Sequence, residues 1–238
     1  MRKLNLCHSE PKGFTLAEVL ITLGIIGVVA ALTMPALIAN YQKKVLAVQI
    51  KRAANIIQNG IKLYMVQEEL SYLYDNNNRF NSASMNELHK NITKSGFKIA
   101  KDCSSDVSGC FAGSYKNIEK KNINDGRSAW KNCVALVSGE SFCIFGTGVS
   151  QVLVDTNGKK GPNVFGRDLF TANIGPEGEF TSPWWNVACM EDDTECNELM
   201  NVTDTVKKCQ KVMFLPVGPP EPSSCFELIQ QNGWEMNY

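Results

Sequence analysis

Residues 14–39 contain a single ionisable side chain, Glu18, in a run of 26 residues that is otherwise apolar or uncharged. A helix needs about 20 such residues to cross a bilayer. The remainder of the 238-residue chain is polar and rich in Asn, Gly and Ser, so the pattern predicts one globular domain tethered to a membrane. With 24 Lys+Arg against 24 Asp+Glu the formal net charge is zero. A polyanion-binding basic protein and a disordered acidic one each need a large charge of one sign, and nucleic acid is thereby excluded as the main partner.

The leader before the apolar run holds Arg2, Lys3 and Lys12, offset by Glu10. A secretory signal would place small residues in an A-x-A-like pattern after the run. Here the chain passes instead through Thr33, Met34 and Pro35 into Asn40, Tyr41, Gln42 and Lys43, so the segment is expected to be kept. Charge alone leaves its orientation open, because Lys43, Lys44, Lys51 and Arg52 on the far side match the leader.

Eight of the nine cysteines lie beyond the apolar run, at Cys103, Cys110, Cys133, Cys143, Cys189, Cys196, Cys209 and Cys225. An even set on that side suits disulfides formed outside a reducing cytosol. Neighbouring cysteines are separated by six, nine, six and fifteen residues, which is not the close-pair spacing of a zinc site. Short loops close at lower entropic cost, which favours joining sequence neighbours: Cys103 to Cys110, Cys133 to Cys143, Cys189 to Cys196 and Cys209 to Cys225.

From Leu46 the apolar residues Ile50, Ala53, Ile57, Ile61 and Tyr64 recur at helical spacing. The helix is therefore expected to continue as an amphipathic one to about Glu69 or Tyr72, its stripe packed on the protein's own sheet. Beyond it, Ser84 with Glu87 predicts a capped short helix over residues 85–93. Residues 129–137 and 141–145 around Ser138-Gly139-Glu140 predict a hairpin that brings Cys133 near Cys143, and residues 149–154 predict a third strand. Ser224 with Glu227 predicts a last helix ending at Asn232-Gly233. Pro35, with Gly24 and Gly27, predicts a kinked or locally melted stretch over residues 27–35. The chain contains neither a Gly-rich phosphate loop nor a nucleophile elbow, and its two histidines, His8 and His89, belong to no catalytic motif.

The string Gly13-Phe14-Thr15-Leu16-Ala17-Glu18, preceded by Lys12 and running straight into the apolar helix, resembles the prepilin cleavage and methylation motif of type IV pilins and type II secretion pseudopilins. Gly27 and Pro35 stand fourteenth and twenty-second after the cut, where pilins commonly carry helix-weakening residues. The resemblance covers about the first 65 residues. It implies an α+β, pilin-like fold: a long N-terminal helix, transmembrane then amphipathic, packed on a small antiparallel β-sheet with a disulfide-rich C-terminal region. It also implies a leader 1–13, a transmembrane half 14–39, an amphipathic half 40–72 and an extracytoplasmic globular domain 73–238.

The function so implied is that of a structural subunit, not an enzyme, cut between Gly13 and Phe14 and methylated on the new Phe14 amine. Glu18 would pair with the Phe14 amine of an adjacent subunit during assembly. The expected partners are other pilin-like subunits, a prepilin peptidase/methyltransferase, a membrane assembly platform and the bilayer. The expected location is the bacterial cytoplasmic membrane with the C-terminal domain outside, then a periplasmic or extracellular filament. The competing class is a membrane-tethered binding protein or enzyme whose anchor resembles a prepilin. Residues 155–168 are similar to a D-x-N-G, P-N, G-x-D segment that recurs in pilin-like proteins. Asp155, Asn157, Asn163 and Asp168 offer hard oxygens of the kind calcium takes, although Asn-Gly and Gly-Pro are also ordinary turn chemistry.

Overall fold

The computed structural model describes residues 13–74, 82–123, 127–146, 150–181, 209 and 224–238. Helix α1 spans Leu16–Gln67. The chain divides into two compact units, residues 1–42 and 43–238. In the first, the most apolar window of α1 has a mean hydropathy of 2.3 and is wholly unburied, long and apolar enough to cross a membrane. Gly27 and Pro35 lie inside α1, and residues 27–35 are helical throughout, so the expected locally melted stretch is not seen.

The second unit is built on a six-stranded sheet. Its strands are β1 (Ile99–Asp102), β2 (Cys133–Leu136), β3 (Ser141–Phe145), β4 (Ser150–Asp155), β5 (Leu169–Ile174) and β6 (Phe180–Thr181). They pair antiparallel in sequence order, so the sheet is a simple meander. Helix α2 (Ser82–Ser95) precedes the sheet and α3 (Ser224–Gln231) follows it.

Two apolar cores lie on the sheet. In one, Ile50, Ala53, Ile57, Ile61 and Tyr64 of α1 pack with Val134, Leu136, Phe142, Ile144, Val152, Val154, Phe170, Ala172 and Ile174. The expected stripe is therefore the buried one, with Leu46 half-buried beside it. In the other, Phe111, Tyr115 and Trp130 meet Cys133, Cys143, Phe145, Leu153, Phe165 and Leu169. Alternate residues of each central strand thus face the two cores. Because both faces are covered, β3 and β5 are buried at every position, the polar Thr171 and Asn173 of β5 included.

Several elements differ from expectation. The strand expected over residues 129–137 begins only at Cys133, because Arg127–Ala129 forms a 3-10 turn. The third strand is Ser150–Asp155; its expected first position, Val149, falls outside the described residues. Helix α2 starts at Ser82 and runs to Ser95, which puts Ser84 inside it. The hairpin turn closes where expected, with Leu136 N–H donating to Glu140 O at 2.8 Å and Gly139 in the left-handed region at φ 105°.

Candidate functional site

At the head of α1, Thr15 is the last residue before the helix. Its N–H donates to Glu18 Oε2 at 2.9 Å and its hydroxyl donates to the same oxygen at 2.8 Å. Glu18 N–H donates back to Thr15 Oγ1 at 3.2 Å. These reciprocal bonds form a capping box, satisfying backbone donors that the first turn leaves unpaired. The sequence reading missed Thr15, although T-x-x-E before an apolar run is the signal for it. Phe14 is 89% exposed beside the cap. Gly13, Phe14 and Glu18 are thus brought together by local geometry, at the N-terminal, electropositive end of α1.

Among the described residues three disulfides join sequence neighbours: Cys103–Cys110, Cys133–Cys143 and Cys209–Cys225. Cys133 and Cys143 sit directly opposite across β2 and β3 with Cα atoms 4.0 Å apart, a spacing set by the turn. The expected pair Cys189 and Cys196 lies outside the described residues.

The loop joining β4 to β5 contains the proposed oxygen donors. Asp155 is fully buried; its Oδ1 accepts from Asn157 N–H at 3.0 Å and its Oδ2 from the Tyr115 hydroxyl at 2.5 Å. Asp168, also fully buried, accepts from Asn163 N–H and Val164 N–H at 2.7 Å each. The carboxylates therefore staple the loop, which reverses through Asn163 at φ 57° and Gly158 at φ 66°. Burial pushes the Asp155 carboxyl up to about 8, against the Tyr115 hydrogen bond and with the nearby Asp168 charge adding to the rise. Burial likewise raises Asp168 to about 6, opposed by the Val164 and Asn163 amides. Tyr115 is raised by burial and then by the Asp155 charge.

Asn157 Oδ1 and Asn163 Oδ1 are buried acceptors without a hydrogen-bond donor. Among the described residues no group of three His, Cys, Asp or Glu side chains suits a metal. The two carboxylates and the two amide oxygens are hard oxygens on one loop, and all four carboxylate oxygens accept hydrogen bonds from the chain itself. The nearby chain end clasps the same loop: Tyr238 hydroxyl donates to Gly166 O at 2.7 Å and Arg167 Nη2 donates to Tyr238 O at 2.8 Å.

Taken together, an N-terminal helix with an unburied apolar half, a six-stranded antiparallel meander and the three disulfides among the described residues define an α+β, pilin-like fold. Residues 11–34 match the family model for the prokaryotic N-terminal methylation motif, the type IV pilin and pseudopilin signature. That motif implies processing by a prepilin peptidase and assembly with other pilin-like subunits. No curated protein and no solved structure matches the chain significantly.

Proposed function

We propose that the chain is a structural subunit of a type IV pilus or type II secretion pseudopilus, cut between Gly13 and Phe14, methylated on Phe14 and assembled through its N-terminal helix. The observation that carries this reading is the matched motif at residues 11–34 running directly into a helix whose apolar half is unburied. Cleavage would create a positive amine next to Thr15 and within one turn of Glu18. A carboxylate in hydrocarbon is expensive without a cation, and the Phe14 amine of a neighbouring subunit supplies one. In this reading residues 1–13 are the leader, 14–39 the membrane half, 40–67 the amphipathic half, which ends at Gln67 short of the expected 72, and 73–238 the extracytoplasmic domain. Gly27 and Pro35 would let α1 loosen when the subunit leaves the bilayer.

N-terminal mass spectrometry on protein from the native host tests the proposal. The mature chain should have 225 residues, 238 less a 13-residue leader, and start at methyl-Phe14. Its side-chain charge becomes −2, from 21 basic residues against 23 acidic ones after Arg2, Lys3, Lys12 and Glu10 are removed. An intact leader in assembled material rules the reading out. Incorporation into filaments separates it from the membrane-tethered binding protein or enzyme.

Calcium at Asp155, Asn157, Asn163 and Asp168 is a separate proposal, supported by the two amide oxygens that lack donors. Millimolar extracellular calcium fills sites with Kd near 10⁻⁴ to 10⁻³ M, and tenfold excess over Kd stabilises by about 1.4 kcal/mol. Adding calcium should raise the melting temperature by a few degrees, and Asp155→Ala should abolish the rise. An unchanged wild-type melt leaves the loop as a turn only.

A further inference from the structure

Helix α1 carries no acidic residue after Glu18, yet it holds five cations, Lys43, Lys44, Lys51, Arg52 and Lys62. Two of them are engaged by the folded domain. Arg52 Nε lies 3.4 Å from Glu140 Oε1, and Lys51 Nζ stands 5.8 Å from the centroid of the Trp234 ring. Among the described residues Lys43 and Lys44 have neither an acidic nor an aromatic partner. Lys44 is exposed and Lys43 half-buried.

Their place along the helix is telling. Residues 19–39, 21 positions, hold no ionisable side chain and make about 32 Å of helix, against a hydrocarbon core of about 30 Å. Lys43 and Lys44 follow four and five residues later, roughly 6 to 8 Å further along. That is the depth of the headgroup layer, which extends about 5 to 8 Å outside the core.

We propose that Lys43 and Lys44 dock on the phosphates of anionic phospholipids in the leaflet through which α1 leaves the bilayer. The inference rests on the membrane-anchored reading above. Lysine suits the task, since its flexible stem lies along apolar surface while the ammonium reaches a phosphate as a point charge. The same stretch of α1 in a second copy offers only cations, so close helix packing would set like charges together, and lipid phosphate relieves that repulsion. The contact is lost when the subunit leaves the bilayer, so it acts as an electrostatic hold on the membrane-resident form.

The test uses the full chain in mixed micelles with equal phosphatidylglycerol and phosphatidylcholine, bound lipids being counted by native mass spectrometry. Wild type should favour phosphatidylglycerol, and K43Q/K44Q should lower that preference about fivefold per lysine. Raising the salt should weaken the wild-type preference too. Lys62→Gln serves as the control: it lies about 27 Å along the helix from Lys44, beyond a Debye length of about 10 Å, and should leave the preference unchanged. No wild-type preference, an unchanged K43Q/K44Q, or an equal loss in Lys62→Gln each overturns the proposal. So does an unchanged lipid preference coupled to lost filament yield, which would assign the lysines to a neighbouring subunit instead. Intact mass of the same chain from its native host reports cleavage at Gly13/Phe14 independently. Normal cleavage with no lipid preference removes this inference alone, whereas absent cleavage removes the functional reading.

Discussion

Thr15 and Glu18 close three hydrogen bonds around one carboxylate oxygen and one hydroxyl at the start of α1. Glu18 therefore has a use within its own chain, closing the capping box at the helix start, besides the one proposed between subunits. Two substitutions separate these roles. Thr15→Val removes the hydroxyl partner and leaves the carboxylate, while Glu18→Ala removes the carboxylate itself. If capping were the whole role, the two variants would behave alike. The assembly role predicts that both are cleaved, that Thr15→Val assembles at reduced yield, and that Glu18→Ala is absent from sheared filaments. Wild-type yield from Glu18→Ala would refute the charge pair. The motif at this end was legible because it is a local pattern, and the Thr15 cap, equally local, was overlooked inside it. Tyr115 as the partner of Asp155 was not, since 40 positions separate the two and no spacing rule spans that distance.

Among the elements, the β2–β3 hairpin was readable from its turn, and the α1 stripe from its period. Strand β5 was not expected, although Phe170, Ala172 and Ile174 alternate with Thr171 and Asn173, and its burial on the polar face as well could not be foreseen; β1 is only four residues long and half of them, Lys101 and Asp102, are charged. The docking of α1 shows a further hidden constraint. A Cβ on Gly60 would lie 2.1 Å from Phe97 Cε1, and Phe97 is held against Phe142 with ring centroids 4.8 Å apart. Gly within a helix ordinarily disfavours it by about 1 kcal/mol relative to Ala, so propensity alone makes Gly60→Ala stabilising. Overpacking costs about 1 to 3 kcal/mol and should win here, because the half-buried ring already leans on Phe142 and must shift to admit the methyl. Chemical denaturation of Gly60→Ala should show a net loss of about 1 kcal/mol or more. An increase in stability would mean that Phe97 repacks without difficulty.

At the scale of the whole molecule, the compact unit 43–238 carries buried groups whose titrations act in opposite directions. His89 is 1% exposed; its Nε2 lies 2.9 Å from Ser150 Oγ and its Nδ1 lacks a partner. Burial draws its pKa from 6.5 down to about 4. The native state holds the neutral ring while the unfolded chain takes a proton first, so this contribution is complete above pH 6.5 and is lost as pH falls toward 4. Asp155 behaves conversely: burial lifts its carboxyl from 3.8 to about 8. Its contribution is complete below pH 3.8 and is lost as pH rises through 8. Asp168, raised to about 6, loses its contribution between pH 3.8 and 6. The carboxyl losses therefore overlap the window in which His89 gains, and a comparison that leaves both carboxyls in place isolates the histidine. His89→Gln keeps a side-chain partner for Ser150 but cannot titrate, so it should remove the acid-side loss due to His89 alone. Between pH 6.5 and 4 wild type should lose on the order of 3 kcal/mol relative to the variant, and above pH 7 the two profiles should run parallel. Urea denaturation of residues 43–238 across pH 4 to 9, with EDTA present so that no cation competes for the carboxylates, measures both profiles. Parallel profiles below pH 6.5 would show that His89 is not the group that makes this domain acid-sensitive.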